Sequence, residues 1–184
     1  MEEKKSNLNV TMTWGLVVGL ALIILSLVLY IMNIYKAPTW VGILNYALII
    51  GGIVMAQLKY RNNILDGYIT YGKAVGTGVL VSLFASIIYA FYFIILTKFI
   101  DTGYMDKVLE TVEQAYAENG LSEDQIAAAL EMSKKMMTPI MMALSTVFGF
   151  VFMGTLFSLI TSIFIKKEAP LFGSESKEGE TLSE

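Results

Sequence analysis

Four long apolar stretches divide this sequence, and none of them contains a charged side chain. They run from Trp14 to Tyr35, from Trp40 to Leu58, from Ala74 to Thr97 and from Pro139 to Ile165. Each has about 19 residues or more, which is enough for a helix to cross a hydrocarbon core of roughly 30 Å. In lipid only helices and closed barrels satisfy their own backbone hydrogen bonds, and the stretches lack the alternation of barrel strands. The pattern therefore predicts an all-α integral membrane protein with a four-transmembrane-helix bundle.

Basic residues close to the ends of the stretches indicate the orientation. With the N-terminus inside, the cytoplasmic segments carry seven of them: Lys4, Lys5, Lys59, Arg61, Lys73, Lys166 and Lys167. The outer segments carry five: Lys36, Lys98, Lys107, Lys134 and Lys135. This bias predicts a multi-pass protein with both termini in the cytoplasm. The first stretch exceeds the roughly 7–15 apolar residues of a signal peptide, so we expect a retained anchor.

The charged segment before the last stretch has helical periodicity. Apolar residues recur at helical spacing with acids between them, at Met105, Val108, Leu109, Val112, Ala115 and Tyr116. Asn119-Gly120 is typical of a helix stop, and Ser122 with Gln125 forms a capping box that opens a second helix. We expect an extracytoplasmic amphipathic helical hairpin at about 103–136, between transmembrane helices 3 and 4.

These elements define three regions. Residues 1–12 form a cytoplasmic N-terminal segment, and residues 13–166 form the four-helix membrane domain. Residues 167–184 form a cytoplasmic tail, which has too little apolar surface to fold and is expected to be disordered. Pro139 removes one backbone hydrogen bond at the junction of the outer hairpin with the last span, where we expect a kink.

The composition excludes several kinds of chemistry. The 184 residues are 55% hydrophobic and include no cysteine and no histidine. Disulfides, thiolate catalysis, Cys/His zinc sites and histidine acid–base catalysis are therefore ruled out. We expect no cofactor. The net charge of −3 argues against nucleic acid, which requires a basic surface, and leaves the lipid bilayer as the expected partner.

Small residues spaced four apart predict close helix packing. Gly15 with Gly19 forms one such pair, and Gly154 leads a second row with Ser158 and Ser162. The third stretch carries the remaining set, Gly72, Gly76, Ala74, Gly78, Ser82 and Ser86. The rows pack either within one bundle or between copies, and packing within the bundle is favoured because four helices must bury surface against each other.

The densest polar cluster lies between the second and third stretches. It comprises Arg61, Asn62, Asn63, Asp66, Tyr68, Tyr71 and Lys73. Basic side chains beside amides and hydroxyls could hold a lipid phosphate at the inner leaflet or contact a partner. They could equally be a topology signal closed by an Asp66-Gly67 turn, which is the favoured interpretation because every multispan protein needs basic inner loops. One aspartate without a partner acid or base is a poor catalyst.

Asn45 is the polar residue of most interest inside a span. An interhelical hydrogen bond is the favoured interpretation, and contact with a ligand is the alternative. A methionine cluster before and within the last stretch could bind Cu(I), but methionine more often fills apolar space: Met132, Met136, Met137, Met141 and Met142. The acids of the outer hairpin are spaced as a solvated helix face, unlike a calcium loop, so no metal site is predicted.

The layout resembles a bacterial membrane protein family catalogued as domain of unknown function 4199. The similarity is strongest in the segment Gly-Tyr-Ile-Thr-Tyr-Gly-Lys-Ala at 67–74, together with Gly78, and continues in the aromatic run from Tyr89 to Ile100. Family members often have a proline shortly after the third span, where this chain has Asp101-Thr102-Gly103. The resemblance implies the bacterial inner membrane and no assigned activity. Members tend to be encoded beside membrane-attached glycosyltransferases that act on polyprenyl phosphate.

Two functions follow as hypotheses. The first is a non-enzymatic membrane scaffold or accessory subunit, serving such a glycosyltransferase or another envelope lipid or glycan enzyme, with a membrane protein or a second copy as partner. The alternative is a small carrier of lipids or small molecules in the inner membrane, with the 59–73 loop and Asn45 as contacts. An enzyme ranks third, because only Asp66 with Tyr68 and Tyr71 could begin a catalytic set.

Overall fold

The structure, a computed structural model, describes residues 2–168, in which the regular structure is helical apart from one isolated β-bridge. The helices are α1 (Glu2–Ile31), α2 (Thr39–Asn63), α3 (Tyr71–Ile95), α4 (Tyr104–Glu118), α5 (Glu123–Met136) and α6 (Pro139–Ile165). A π-helical turn, Leu96–Ile100, extends α3.

Four of these helices are long and apolar enough to cross a membrane, at Asn7–Ile31, Thr39–Asn63, Tyr71–Ile100 and Pro139–Ile165. The first two of these spans have 25 residues each, or about 38 Å at 1.5 Å per residue. The predicted all-helical fold with four long apolar helices is confirmed. Helix α1 begins at Glu2, so the boundary expected at residue 13 falls inside it, and Val10 and Thr11 are already buried in the bundle.

The helix boundaries follow from local capping. The capping box at Ser122 and Gln125 opens α5 as predicted, with the Ser122 N–H donating to Gln125 Oε1 at 3.0 Å. The kink expected at Pro139 is wrong, because α5 ends at Met136 and Pro139 begins a separate helix. Thr138 caps that helix by accepting a hydrogen bond from the Met141 N–H at 3.3 Å. A proline at the first helical position breaks no intrahelical bond.

The C-terminal region is described only as far as Glu168, so residues 169–184 of the predicted tail lie outside the described residues. Lys167, the first residue of that tail, pairs with Ile69 in the β-bridge. The Ile69 N–H donates to the Lys167 carbonyl at 2.8 Å, and the Lys167 N–H donates back at 3.0 Å. At Lys167 itself the expectation of disorder is therefore wrong.

Helix α3 lies at the centre of the bundle, where it packs mainly against α6 and α1 and also contacts α2. Small and medium side chains such as Ala74, Ala85 and Ile53 are buried there. Many large apolar side chains point outward, although Phe93 and Leu22 are buried: Phe148 is 74% exposed and Phe164 82% exposed. This distribution suits a lipid environment, because lipid solvates large apolar groups and close helix approach depends on small ones.

The glycines predicted to pack lie at two helix contacts. A Cβ added at Gly15 would stand 2.5 Å from Phe84 Cβ, and one at Gly19 would stand 3.1 Å from Ile88 Cβ, so both glycines bring α1 against α3. At the contact of α3 with α6, Gly78 faces Ser158 and Gly154 faces Ser82. Each glycine thus accommodates a serine of the other helix, which is a reciprocal fit between antiparallel helices.

Gly76 does not take part in these contacts. Nothing lies within 4 Å of a Cβ added at Gly76, and the same holds for Gly72. Successive residues of a helix are about 100° apart, so Gly76 and Gly78 face well apart around α3. The expectation that Gly76 packs within the bundle is therefore wrong, because Gly76 lies on a side of α3 away from its contacts with α1 and α6.

Candidate functional site

The predicted polar loop joins the end of α2 to the end of α6. Arg61 Nη1 donates to the Ile165 carbonyl at 3.0 Å, and Arg61 Nε donates to Asn62 Oδ1 at 2.9 Å. The Tyr71 hydroxyl donates to the Leu159 carbonyl at 3.3 Å. Helix C-termini leave backbone carbonyls without intrahelical partners, and Arg61 satisfies one of them.

The remaining loop residues shape the turn or lie at its surface. Asp66 and Gly67 adopt left-handed backbone angles, with φ values of 49° and 86°, so the Asp-Gly turn is present. Lys167 Nζ lies 5.4 Å from the centre of the Tyr68 ring, a cation–π contact with the residue that follows α6. Asn63 and Lys73 are exposed. The loop is therefore an attachment point for the end of α6.

A buried polar layer lies one turn deeper and centres on Gln57. The sequence had indicated Asn45 as the polar span residue of most interest. Gln57 is fully buried, and the two N–H bonds of its Nε2 are shared among three acceptors: the Ala74 carbonyl at 3.0 Å, Ser158 Oγ at 3.2 Å and Ser162 Oγ at 3.0 Å. The Ser158 hydroxyl in turn donates to the Val75 carbonyl at 2.9 Å. One side chain thus joins α2, α3 and α6.

Two signals in the sequence could have identified Gln57. It follows Ile53 by four residues and precedes Tyr60 by three, so it shares a helix face with two residues that are buried. Its partners Ser158 and Ser162 belong to the small-residue row that was already predicted to pack. A polar side chain on the packed face of a span is the usual source of an interhelical hydrogen bond.

Asn45 lies at the opposite end of the bundle, and within residues 2–168 no group hydrogen-bonds to its amide. Asn45 lines a cavity of about 170 Å³ between α1, α2, α3 and the start of α4. We call this space the tyrosine cavity; it is lined by Leu22, Leu25, Ser26, Leu29, Tyr30, Ile34, Tyr35, Ala37, Val41, Asn45, Tyr89 and Tyr104. The interhelical hydrogen bond expected for Asn45 is therefore wrong in this structure.

A cluster of aromatic rings holds α4 over this end of the bundle. The Tyr104 ring lies 5.6 Å from the Tyr35 ring, 6.3 Å from the Tyr30 ring and 6.1 Å from the Phe93 ring, measured between centroids. Such tilted and edge-to-face pairs are favourable contacts. Burial raises the pKa of Tyr104 to about 12, so its hydroxyl is a neutral donor at physiological pH.

An ion pair lies next to these rings. Lys107 Nζ donates to Asp101 Oδ2 at 2.7 Å, and the Asp101 side chain is only 12% exposed. This hydrogen bond holds the pKa of Asp101 below its usual range and the pKa of Lys107 above its usual range. The two opposite charges therefore stay ionised together and leave no net charge beside the tyrosine cavity.

The acidic side chains of the described residues do not gather into a cluster. Within residues 2–168 no three side chains among the aspartates and glutamates come close enough together to hold a metal ion. On α4 and α5, Glu118 forms a surface ion pair with Lys36 at 3.2 Å, and Glu131 forms one with Lys135 at 2.8 Å.

The architecture defines the class of this chain: a polytopic helical membrane protein with four apolar helices, two short helices between the third and the fourth, and a small-residue core. The chain belongs to the family described as protein of unknown function DUF4199, whose model matches residues 13–167. This confirms the resemblance seen at residues 67–74. No curated protein and no solved structure matches the chain.

Proposed function

We propose that the protein is a non-enzymatic membrane scaffold or accessory subunit, and that it binds a second membrane protein through an outward face of α2. The observation that carries the proposal is the composition of this face: Ile43, Ala47, Gly51 and Met55, four residues apart. Ile43 is 65% exposed and Met55 50% exposed, and nothing lies within 4 Å of a Cβ added at Gly51. Ala47 and Gly51 form a small-residue pair that no helix within residues 2–168 covers.

Such a pair is unusual on a surface that meets only lipid. A glycine inside a helix destabilises it by about 0.5–1 kcal/mol relative to alanine, and contact with lipid does not offset this loss. Contact with a second helix does offset the loss, because small residues at this spacing allow the two backbones to approach closely. Gly15 and Gly78 show the same use of glycine inside this bundle.

The use of the polar loop also supports a structural role. The Arg61 guanidinium and the Tyr71 hydroxyl both donate to backbone carbonyls of α6. Their first contribution is to hold the bundle together. An envelope lipid or glycan enzyme as partner, such as a membrane-attached glycosyltransferase, rests on the family resemblance alone.

The carrier alternative needs revision in its contacts. Asn45 and Arg61 are separated by 16 positions along α2, or about 24 Å at 1.5 Å per residue. The loop and Asn45 therefore cannot hold the same small ligand, and the two regions must be tested separately.

The partner proposal is tested by purification at native expression in a mild detergent, followed by mass spectrometry. We expect the wild-type chain to retain a stoichiometric membrane protein. The Gly51→Leu variant should lose it by about tenfold, since overpacking at a contact costs about 1–3 kcal/mol. The comparison is Gly76→Leu, which makes the same change at another open small-residue pair, Gly72 and Gly76 on α3, and should retain the partner because the proposed binding face is on α2.

Two results decide between partners, and a third rejects the proposal. If a different protein, an enzyme, co-purifies in constant ratio to this chain, the chain is an accessory subunit of that enzyme. A complex that is a multiple of 20.4 kDa makes the partner a second copy of the chain. Wild-type protein without any associated protein above background contradicts a scaffold role.

We further propose that the protein lies in the bacterial inner membrane with both termini in the cytoplasm, so that α4 and α5 form an amphipathic hairpin outside. Because the chain has no cysteine, single-cysteine variants report topology without background. In intact cells a membrane-impermeant maleimide should label Glu123→Cys, whereas Asn63→Cys should require permeabilisation. Both positions are exposed in the structure. The reverse labelling pattern would invert the topology.

A further inference from the structure

The tyrosine cavity combines apolar walls with polar groups from distant parts of the chain. Four tyrosines, Asn45 and Ser26 converge on it, and the rest of its lining is aliphatic. These residues come from α1, the 32–38 turn, α2, α3 and α4, so the space exists only in the folded bundle. An apolar pocket with a few convergent polar groups is the usual form of a small-molecule site.

The polar groups of the cavity have hydrogen-bonding capacity to spare. Within the described residues Asn45 has no hydrogen-bond partner, although its amide offers two donors and a carbonyl acceptor. The Tyr89 hydroxyl reaches Ser26 Oγ at 3.4 Å, which is long for a bond between hydroxyls. Asn45 is partly buried, so a ligand that displaces water from its amide must supply hydrogen-bond partners in return.

The charge balance selects the kind of ligand. Asp101 and Lys107, beside the aromatic cluster, neutralise each other at 2.7 Å, and Lys107 Nζ already lies 5.6 Å from the centre of the Tyr35 ring. A cationic ligand would meet this ammonium group, and an anionic ligand would find the lysine already paired. An uncompensated charge inside a bundle is costly, so a neutral ligand fits best.

The size of the cavity limits the ligand further. Its volume of about 170 Å³ is close to the roughly 150 Å³ of an engineered apolar cavity that binds benzene. A group of one six-membered ring therefore fits. Tyrosine rings offer faces for stacking, and Asn45 with the tyrosine hydroxyls offers partners for one or two hydroxyl groups.

We propose that the tyrosine cavity binds a neutral, hydroxyl-bearing group about one ring in size, either a free small molecule or the head group of a neutral lipid. Asn45 and the hydroxyls of Tyr89 and Tyr104 bind its hydroxyl groups, and the rings of Tyr30, Tyr35 and Tyr104 pack against its apolar side. This site is separate from the outward face of α2, because Asn45 and Gly51 lie on different sides of that helix.

Fluorine NMR of the purified full chain in detergent micelles tests this, with para-fluorobenzyl alcohol as the probe. We expect a saturable shift with protein present and only linear partitioning into empty micelles. The charged analogues para-fluorobenzoate and para-fluorobenzylammonium should bind at least about tenfold more weakly.

Matched variants locate the binding. Ser26→Leu fills the cavity and should abolish the saturable shift. Asn45→Leu keeps the volume but removes the amide, and should weaken binding about five- to tenfold. Leu44→Phe adds volume one residue away on the lipid side, where Leu44 is 39% exposed, and should leave binding unchanged. Melting curves without probe verify that each variant is folded.

Competition identifies the source of the ligand. Displacement by dioleoylglycerol indicates a lipid head group, and displacement by unlabelled benzyl alcohol alone indicates a free molecule. The proposal is overturned if unlabelled benzyl alcohol does not compete, or if folded Ser26→Leu retains the saturable shift.

Discussion

Leucine at Gly78 or Gly154 should force α3 away from α6 and strongly destabilise the bundle. A Cβ at Gly78 would lie 2.8 Å from both Ile53 Cγ2 and Ser158 Cβ, before the rest of a leucine side chain is added. At Gly154 the obstacle is Ser82, whose Cα is also within 4 Å. Neither serine can move aside without shifting its helix.

We expect each variant to lose about 3 kcal/mol or more, at the upper end of the cost of overpacking a core. The melting temperature of the detergent-purified protein would fall by about 10 °C, as the usual scaling for chains of this size implies. Scanning fluorimetry of the intrinsic tryptophans gives the measurement. Reduced expression alone would not be evidence of a less stable bundle, because expression also depends on insertion into the membrane.

Gly76→Leu is the matched control, since it makes the same change two residues away on the same helix. Its added atoms would meet nothing within 4 Å inside the bundle, so melting should stay close to the wild-type temperature. A large loss at Gly76 together with none at Gly78 would show that the rotation of α3 in this structure is wrong.

The contrast between these glycines shows what spacing alone predicts. The sequence predicts that α3 packs through small residues, because such residues recur every four positions. It does not predict which of two rows meets a neighbour: Gly72 with Gly76, or Gly78 with Ser82. Both rows satisfy the same spacing rule, and the choice depends on the rotation of α3 between α1 and α6.

The spans were predictable for a stronger reason. Charged side chains are costly in a hydrocarbon core, so long uncharged stretches have few alternatives to transmembrane helices. The prediction of a break at Pro139 had the right position and the wrong consequence. Proline both interrupts a helix and begins one, and only the cap at Thr138 distinguishes the two.

The tyrosine cavity was not predictable from the sequence. Its polar residues Ser26, Asn45, Tyr89 and Tyr104 are far apart in the chain. Each tyrosine near a span end also has a sufficient explanation as an interfacial anchor. Convergence of such residues on one space depends on the packing of four helices, which leaves no local pattern. The polar loop, by contrast, was found because its residues are contiguous.

Replacing Gln57 with glutamate should make the stability of the bundle strongly dependent on pH. The two side chains have nearly the same shape, but an ionised carboxylate would place an acceptor where Gln57 Nε2 now donates to the Ala74 carbonyl at 3.0 Å. Of the two basic residues that follow it on α2, Lys59 is exposed, and Arg61, one helical turn away on the same face, is bound to Ile165 and Asn62. Burial without a compensating charge therefore raises the pKa of the glutamate.

The direction of the effect follows from this shift. The folded state binds the proton more tightly than the unfolded state, whose glutamate pKa is about 4.3. The variant should be most stable below that pH, lose stability as the pH rises, and level off above the folded-state pKa. A shift of about 3 units corresponds to about 4 kcal/mol lost at neutral pH, seen as a melting temperature that falls between about pH 4 and about pH 8.

The control for this experiment is Gln57→Met, which has a similar length and no charge. Its melting temperature should follow the wild-type pH dependence, with a small uniform loss because interhelical hydrogen bonds in membranes average about 0.6 kcal/mol. Part of that loss is offset because Gln57 Oε1 has no partner among the described residues and is removed as well. If the glutamate variant instead melts like the methionine variant at every pH, water reaches position 57. The polar layer joining α2, α3 and α6 would then be part of a hydrated path rather than a dry contact.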